Sequence, residues 1–193
     1  MVRRWPRSGW LVPADPFGRV DRFPQWLLAG SLWIIAGFTF PFLTSATNLL
    51  SNGPQQYLRA AADMSDELAY RVTFTIVRVP LTAVLATVIA LMQCAVVPAV
   101  RSLTRRWLIA TATGASVSVL IWLPTTLIVA QIVGDTFPEP VRALLQTFGA
   151  GLLAGLVSLM QRRAARQALT VPKDFIATSI LAAVVGAFGG WAL

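Results

Sequence analysis

The chain has 193 residues, of which 56% are hydrophobic and 12% are charged, and its mean hydropathy is +0.67. A typical soluble protein has about 25% charged residues, so this composition excludes a protein whose whole surface faces water. The net charge is +8, from 16 basic and 8 acidic residues. Together these values predict an integral membrane protein.

Two residue types limit the chemistry that the chain can perform: histidine does not occur in it, and cysteine occurs once, at Cys94. Without histidine, a His-ligated haem, zinc ion or pigment and a nucleophile–histidine triad are excluded. A single cysteine allows neither an intrachain disulfide nor a thiolate cluster. We therefore predict that the protein is not an enzyme and has no catalytic residues and no metal site.

Five uncharged stretches are long enough to cross the apolar core of a bilayer, which takes about 20 helical residues. They lie within residues 23–43, 79–100, 107–133, 143–161 and 175–193. These stretches lack the alternation of barrel strands, so they favour helices, whose backbone hydrogen bonds are satisfied internally. We predict an all-α fold, a polytopic transmembrane bundle of five membrane-spanning helices.

Residues 1–22, before the first helix, combine basic and aromatic side chains with several prolines and glycines. Proline and glycine disfavour a continuous helix, so we predict an extended cytoplasmic tail. Its anchors to anionic lipid or to a neighbouring protein are expected to be Arg3, Arg4, Trp5 and Trp10.

Residues 44–76, after the first transmembrane helix at 23–43, form a predicted external loop with a short surface helix. Asn52, Gly53 and Pro54 are typical of a turn. The alanine-, leucine- and glutamate-containing sequence that follows favours a helix running into the second membrane segment.

Arginine and lysine cluster in alternate loops along the chain. The clusters that follow the tail are Arg101, Arg105 and Arg106, and then Arg162, Arg163, Arg166 and Lys173. Short cytoplasmic loops collect such residues, so we predict a cytoplasmic amino terminus and an external carboxyl terminus in a bacterial inner or photosynthetic membrane. Because the bases form short clusters at helix ends, nucleic acid is not an expected partner.

Four tryptophans near the predicted helix ends indicate belts at the two membrane interfaces. They are Trp26, Trp107, Trp122 and Trp191.

An internal repeat emerges when the sequence is shifted by 68 residues, because Leu91–Gln93 then aligns with Leu159–Gln161. The second and third helices would form one unit, residues 77–133, and the fourth and fifth would form another, residues 134–193. Both units cross the membrane in the same order, which predicts parallel repeats about an axis near the membrane normal. Gln93 and Gln161 would then face each other.

Each unit has a helix ending in glutamine, a short basic loop, an aromatic residue opening the next helix, and small residues four apart. This combination resembles the uncharacterised repeat-built polytopic proteins of bacteria such as cyanobacteria and Chloroflexi, over roughly residues 77–193. The chain departs from that family at Cys94 and Arg162, where an aromatic often follows the glutamine, and in its third helix, which has threonine and serine in place of glycine and tryptophan. The resemblance implies an accessory role and supplies no catalytic residue.

Small residues at four-residue spacing predict close packing of helices, because lipid supplies no hydrophobic force between them. The glycines concerned are Gly114, Gly151, Gly155, Gly186 and Gly190. One interpretation is packing within the bundle. The other is docking of a different subunit on the fourth or fifth helix.

Polar residues in the apolar stretches are the candidates for binding a solute or cofactor. They are Arg78, Gln93, Gln131 and Gln146. Because Pro80 follows closely, we expect Arg78 at the membrane boundary, snorkelling or paired with an external acid; an anion or lipid-headgroup site is the alternative. The hydroxyl groups of the third helix are expected to hydrogen-bond their own backbone.

These features predict a non-catalytic integral membrane subunit, or an assembly or stabilising factor, of a larger bacterial membrane complex, photosynthetic or respiratory. Its expected partners are membrane lipids and other membrane-protein subunits, and its cofactor contacts, if it has them, are pigment or quinone. The alternative is a small membrane transporter or a substrate-binding membrane component of an uptake system, favoured by Arg78, Gln93 and the third-helix hydroxyls. The lack of an acid in the apolar stretches counts against proton or sodium coupling.

Overall fold

The computed structural model describes residues 23–62, 65–133, 138–166 and 168–191. The predicted tail anchors Arg3, Arg4, Trp5 and Trp10 lie outside these residues. The helices are α1 (Phe23–Ser31), α2 (Trp33–Ala62), α3 (Asp66–Val96), α4 (Thr104–Val133), α5 (Glu139–Ala165) and α6 (Asp174–Trp191), with a 3-10 helix at Pro98–Leu103. The described residues contain no strand, which confirms the predicted all-α class.

Five helical stretches are long and apolar enough to cross a membrane. They are Pro24–Ala62, Leu68–Val96, Pro98–Val133, Glu139–Ala165 and Asp174–Trp191. The chain is thus compatible with an integral membrane protein, and the number of candidate membrane-spanning helices agrees with the sequence prediction.

The long helices pack in a closed ring. From α2 to α6, each helix contacts the next one in the chain, and α6 contacts α2, which closes the ring. α2 also contacts α5 across the ring. Apolar side chains fill the interior, and the largest of them include Trp33, Phe40, Ile89 and Leu153. The end with Arg101, Arg106 and Arg163 is called the basic end, and the opposite end, at Ala62 and Val133, the distal end.

Glycines allow α2 and α6 to pack backbone against backbone. A Cβ atom added at Gly37 would collide with the carbonyl group of Ala183, and one added at Gly186 or Gly190 would collide with the carbonyl group of Ile34 or Phe38. The helices run parallel, because residues 34–38 follow the same direction as residues 186–190. α6 has 18 residues, a length of about 27 Å at a rise of 1.5 Å per residue, and its last turn lies beside Phe38.

α2 continues through Asn52, Gly53 and Pro54, where the sequence pattern predicts a turn. A proline inside a helix leaves the carbonyl group four residues earlier without its usual donor, but this part of α2 is exposed and water can replace that donor. Contacts with α3 hold the helix on both sides of the proline. The Tyr70 hydroxyl donates to Asn48 Oδ1 at 3.3 Å, and Arg59 Nε lies 2.7 Å from Asp66 Oδ1.

Candidate functional site

A buried arginine lies in the distal half of the ring. Arg78 is 0% exposed, because α3 continues through Pro80 and carries this side chain into the interior. The position of Pro80 had indicated that Arg78 snorkels to the surface. The burial of Arg78 shows that this prediction was wrong. Among the described side chains, no carboxylate lies within ion-pair distance of its guanidinium group.

Hydroxyl groups and aromatic rings surround Arg78. Its Nη1 donates to Thr44 Oγ1 at 3.1 Å and to Thr47 Oγ1 at 3.4 Å. Its Cζ lies 4.6 Å from the centroid of the Phe40 ring and 5.2 Å from that of Trp122. These five residues, from α2, α3 and α4, are called the arginine site.

The described residues compensate the charge of Arg78 only in part. Burying an ion costs several kcal/mol, and the hydrogen bonds and cation–π contacts of the arginine site offset part of that cost. The Nε and Nη2 atoms of Arg78, however, have no hydrogen-bond partner among the described residues. The arginine site is therefore a position where an anion would be stabilised.

Gly149 of α5 leaves the space that the two rings of the arginine site occupy. A Cβ atom at this position would lie 2.6 Å from Trp122 Nε1 and 2.8 Å from Phe40 Cζ. Trp122 Nε1 donates to the carbonyl oxygen of Leu145 at 3.3 Å. α5 thus orients Trp122 over the guanidinium group.

A second polar cluster lies towards the basic end and is built on Gln93, which is 0% exposed. Gln93 Nε2 donates to the carbonyl oxygen of Ala29 at 3.0 Å. Its Oε1 accepts from Trp107 Nε1 at 3.2 Å and from Gln161 Nε2 at 2.9 Å. One side chain thus joins α1, α3, α4 and α5.

Gln161 and Thr111 complete this cluster, which is called the amide network together with Gln93 and Trp107. Gln161 Nε2 also donates to Thr111 Oγ1 at 2.8 Å, and the Thr111 hydroxyl donates to the carbonyl oxygen of Trp107 at 2.8 Å. Gln161 Oε1 has no partner among the described residues. Because none of these four side chains titrates near neutral pH, the network is suited to holding helices together and not to acid–base chemistry.

The tryptophan belts expected from the sequence are wrong for three of the four residues. Trp26, Trp107 and Trp122 are buried, and among the four only Trp191 is exposed. Trp26 packs against Trp107 and Phe175, with ring centroids 6.2 Å and 5.4 Å away. These rings cover the amide network from the basic end, so tertiary contacts and not lipid headgroups hold them.

The remaining polar candidates lie apart from both clusters. Gln131 is exposed near the end of α4 and Gln146 is half-buried on α5; no described hydrogen bond joins either of them to the arginine site or the amide network. Five hydroxyl groups of α4 donate to carbonyl oxygens of their own helix, in agreement with the prediction. Examples are Ser116 to the carbonyl oxygen of Ala112 at 2.9 Å and Ser118 to that of Ala115 at 2.7 Å.

The candidate packing glycines lie at contacts between helices of this chain. A Cβ atom at Gly114 would lie 2.7 Å from Val157 Cα in α5. Cβ atoms at Gly151 and Gly155 would lie 3.3 Å from Val184 and 3.2 Å from Ile180, both in α6. With Gly186 and Gly190 against α2, all five glycines face a neighbouring helix.

No family model, curated protein or solved structure matches this chain. A proposal for the function therefore rests on the two buried clusters and on the surface of the protein. Among the described residues, no group of three or more histidine, cysteine, aspartate or glutamate side chains is placed to hold a metal ion.

Sequence reasoning singled out Arg78 and Gln93 but not the partners of Arg78. Phe40, Thr44 and Thr47 are spaced four and three residues apart, which puts them on one face of α2. That spacing was visible in the sequence. Their distance of more than 30 residues from Arg78 along the chain concealed the contact.

Proposed function

We propose that this protein is a non-catalytic integral membrane subunit, or an assembly or stabilising factor, of a larger bacterial membrane complex of the photosynthetic or respiratory kind. In this proposal the basic end and the amino terminus face the cytoplasm, and the carboxyl terminus lies outside. The two-unit repeat belongs to the same proposal, and the hydrogen bond between Gln93 and Gln161 supports it. The observation that carries the proposal is an uncovered apolar stripe on α2.

This distal stripe consists of Phe42, Leu49, Leu50 and Tyr57. The adjacent pair Leu49 and Leu50 lies seven and eight residues after Phe42 and eight and seven before Tyr57, which places all four on one broad face of the helix. Leu49 is 74% exposed and Tyr57 is 70% exposed. Large apolar side chains are thus presented side by side along about four turns of α2.

The position of the stripe along α2, beyond the end of α6, explains why it needs a partner. The 18 residues of α6 cover about 27 Å, close to the thickness of a bilayer core, and this helix ends beside Phe38. Leu49 and Tyr57 lie about 16 Å and about 28 Å further along α2. If α6 spans the core, both side chains project past it, where uncovered apolar surface indicates a protein interface.

The proposed occupant of the stripe is another integral membrane protein. Phe42 lies near the level where α6 ends, while Tyr57 lies well beyond it, so a covering surface must start in the membrane and continue outside. The glycine faces are less suitable for docking, because Gly151 and Gly155 already contact Val184 and Ile180. Membrane lipids would cover the rest of the apolar surface.

We expect Leu49→Asp to lower the recovery of the complex by about tenfold or more, since a charge at the centre of an interface is as damaging as loss of a main contact residue. The protein is extracted from native membranes in a mild detergent through an amino-terminal tag. The complex is then resolved on a native gel and identified by mass spectrometry. Tyr57→Asp is expected to act in the same way.

Asn52→Asp is the matched control, because it adds the same charge to an exposed position of α2 outside the stripe. It should leave comigration unchanged. Recovery of the wild-type protein as a free monomer or homodimer would refute the subunit proposal. Equal loss in Leu49→Asp and Asn52→Asp would refute the stripe as the docking surface.

The second candidate function is a small transporter or a substrate-binding membrane component that takes an anion. The arginine site favours it, because two donor nitrogens of Arg78 are buried and unpartnered among the described residues. Since Arg78 is 0% exposed, an anion could reach it only after helices of the ring move apart. This function therefore requires a second arrangement of the ring.

For Arg78→Met we expect a melting temperature equal to that of the wild type or higher, because an apolar side chain of similar volume removes a buried charge that is compensated only in part. Sodium phosphate or acetate, compared with sodium chloride at equal ionic strength, should raise the melting temperature of the wild type by about 2–4 °C per kcal/mol of binding. Arg78→Met should show no such rise. The control Arg142→Met, at an exposed position, should show the same rise in melting temperature as the wild type. A rise in Arg78→Met equal to that of the wild type would exclude Arg78 as the anion site.

A further inference from the structure

A groove opens between α4 and α5 at the basic end, with a volume of about 340 Å³. It is separate from the distal stripe and from both buried clusters. Seven residues line it: Arg106, Ile109, Ala110 and Thr113 of α4, and Met160, Arg163 and Ala164 of α5.

The two helices are held together on the distal side of this groove. A Cβ atom at Gly114 would lie 2.7 Å from Val157 Cα, so the backbones are in close contact there. Arg106 lies eight residues from Gly114, about 12 Å nearer the basic end. The groove thus extends from a tight helix contact to the charged end of the bundle.

The lining is divided between charge and apolar surface. Arg106 and Arg163 are exposed, one on each helix, and among the described residues neither forms an ion pair. Ile109 and Met160 lie between these arginines and Gly114, and they form the apolar part of the groove floor. The α4 positions are spaced three, four and seven residues apart, so they form one face of that helix.

One class of molecule matches both parts of this lining. A free phosphate would meet the two guanidinium groups but would leave the apolar floor uncovered. A zwitterionic phospholipid such as phosphatidylcholine would bring a cation along with its phosphate and would supply no net counter-charge to the two arginines. An anionic phospholipid supplies a phosphate at the membrane surface and acyl chains that run into the membrane. Basic pockets between membrane helices are suited to such headgroups.

We propose that this groove binds an anionic phospholipid, with its phosphate between Arg106 and Arg163 and an acyl chain along Ile109, Thr113 and Met160. The guanidinium groups donate to the phosphate oxygens. The acyl chain covers apolar surface at a place where the two helices leave a gap. This site is independent of the proposed partner on the distal stripe.

The test measures how much dioleoylphosphatidylglycerol the purified protein retains relative to dioleoylphosphatidylcholine. Both lipids are offered in equal amounts in mixed detergent micelles, and the bound lipid is counted by native mass spectrometry. We expect the wild type to retain the anionic lipid. The amount retained by the Arg106→Gln/Arg163→Gln variant should be lower by about tenfold or more. Inorganic phosphate at the same concentration should not displace it.

The matched control is Arg105→Gln/Arg166→Gln, which removes the same charge from exposed positions of the same end outside the groove lining. It should retain the lipid as the wild type does. Equal loss in both double variants would overturn the proposal, because it would show general attraction to a basic surface. Equal retention of the two lipids by the wild type would also overturn it.

Two further variants test the acyl-chain part of the site without a change of charge. Ala164→Phe fills the groove and should lower retention of the anionic lipid. Ile109→Ser, at an exposed position, should do the same by making the floor polar and is not expected to disturb the fold. Full retention by a folded Ile109→Ser variant would reduce the site to a headgroup contact and overturn the proposal.

Discussion

Replacement of Gly186 or Gly190 by alanine is expected to destabilise the protein by about 3 kcal/mol, although it adds a single methyl group. In both cases that methyl group would collide with a backbone carbonyl of α2, at Ile34 or at Phe38. A backbone cannot rotate aside as a side chain can, so the whole of α6 would have to move away from α2. One added methyl group would therefore disrupt the whole interface between α2 and α6.

Gly189 provides the control for this prediction within the same turn of α6. A Cβ atom there would meet only Phe38 Cδ2, at 4.0 Å, which is ordinary contact. Since alanine favours a helix over glycine by about 1 kcal/mol, Gly189→Ala should leave stability unchanged or raise it slightly. Unfolding in a denaturant, followed by tryptophan fluorescence, compares the three variants. Equal stability of Gly186→Ala and Gly189→Ala would contradict the packing of α6 on α2.

The second large effect is expected for Gln93→Leu, which should destabilise the protein by about 2–4 kcal/mol. The change removes the acceptor of Trp107 Nε1 and one acceptor of Gln161 Nε2, and it removes the donor to the carbonyl oxygen of Ala29. A buried polar group left without a partner costs about 1–3 kcal/mol. This cost exceeds the average of about 0.6 kcal/mol for a hydrogen bond between membrane helices, because two donors are affected together.

Gln146→Leu is the control for the amide network. Its Oε1 is buried and already has no partner among the described residues, so leucine removes an unsatisfied atom and should be neutral or stabilising. Both variants are compared with the wild type by thermal unfolding in detergent. A loss of stability in Gln146→Leu as large as that in Gln93→Leu would show that the network contributes no more than an ordinary half-buried glutamine.

The sequence predicted the helical class and the number of candidate membrane-spanning stretches, because both depend on local properties. An apolar stretch of about 20 residues must satisfy its backbone hydrogen bonds within itself when it is in lipid, whatever its neighbours are. The four-residue spacing of Gly186 and Gly190 likewise places both on one face of a helix before any partner is known. The lack of histidine restricts the chemistry of any fold that this chain adopts.

Which helices meet, and which side chains are covered, depends on contacts between distant parts of the chain. Arg78 was expected to snorkel or to pair with an external acid, yet its side chain is buried against Thr44, Thr47 and Trp122 on two other helices. Trp107 was expected to face lipid headgroups, whereas its indole group donates to Gln93 inside the ring. Hydropathy cannot distinguish a side chain that faces lipid from one that faces another helix, because both surroundings are apolar, and only the tertiary structure separates them.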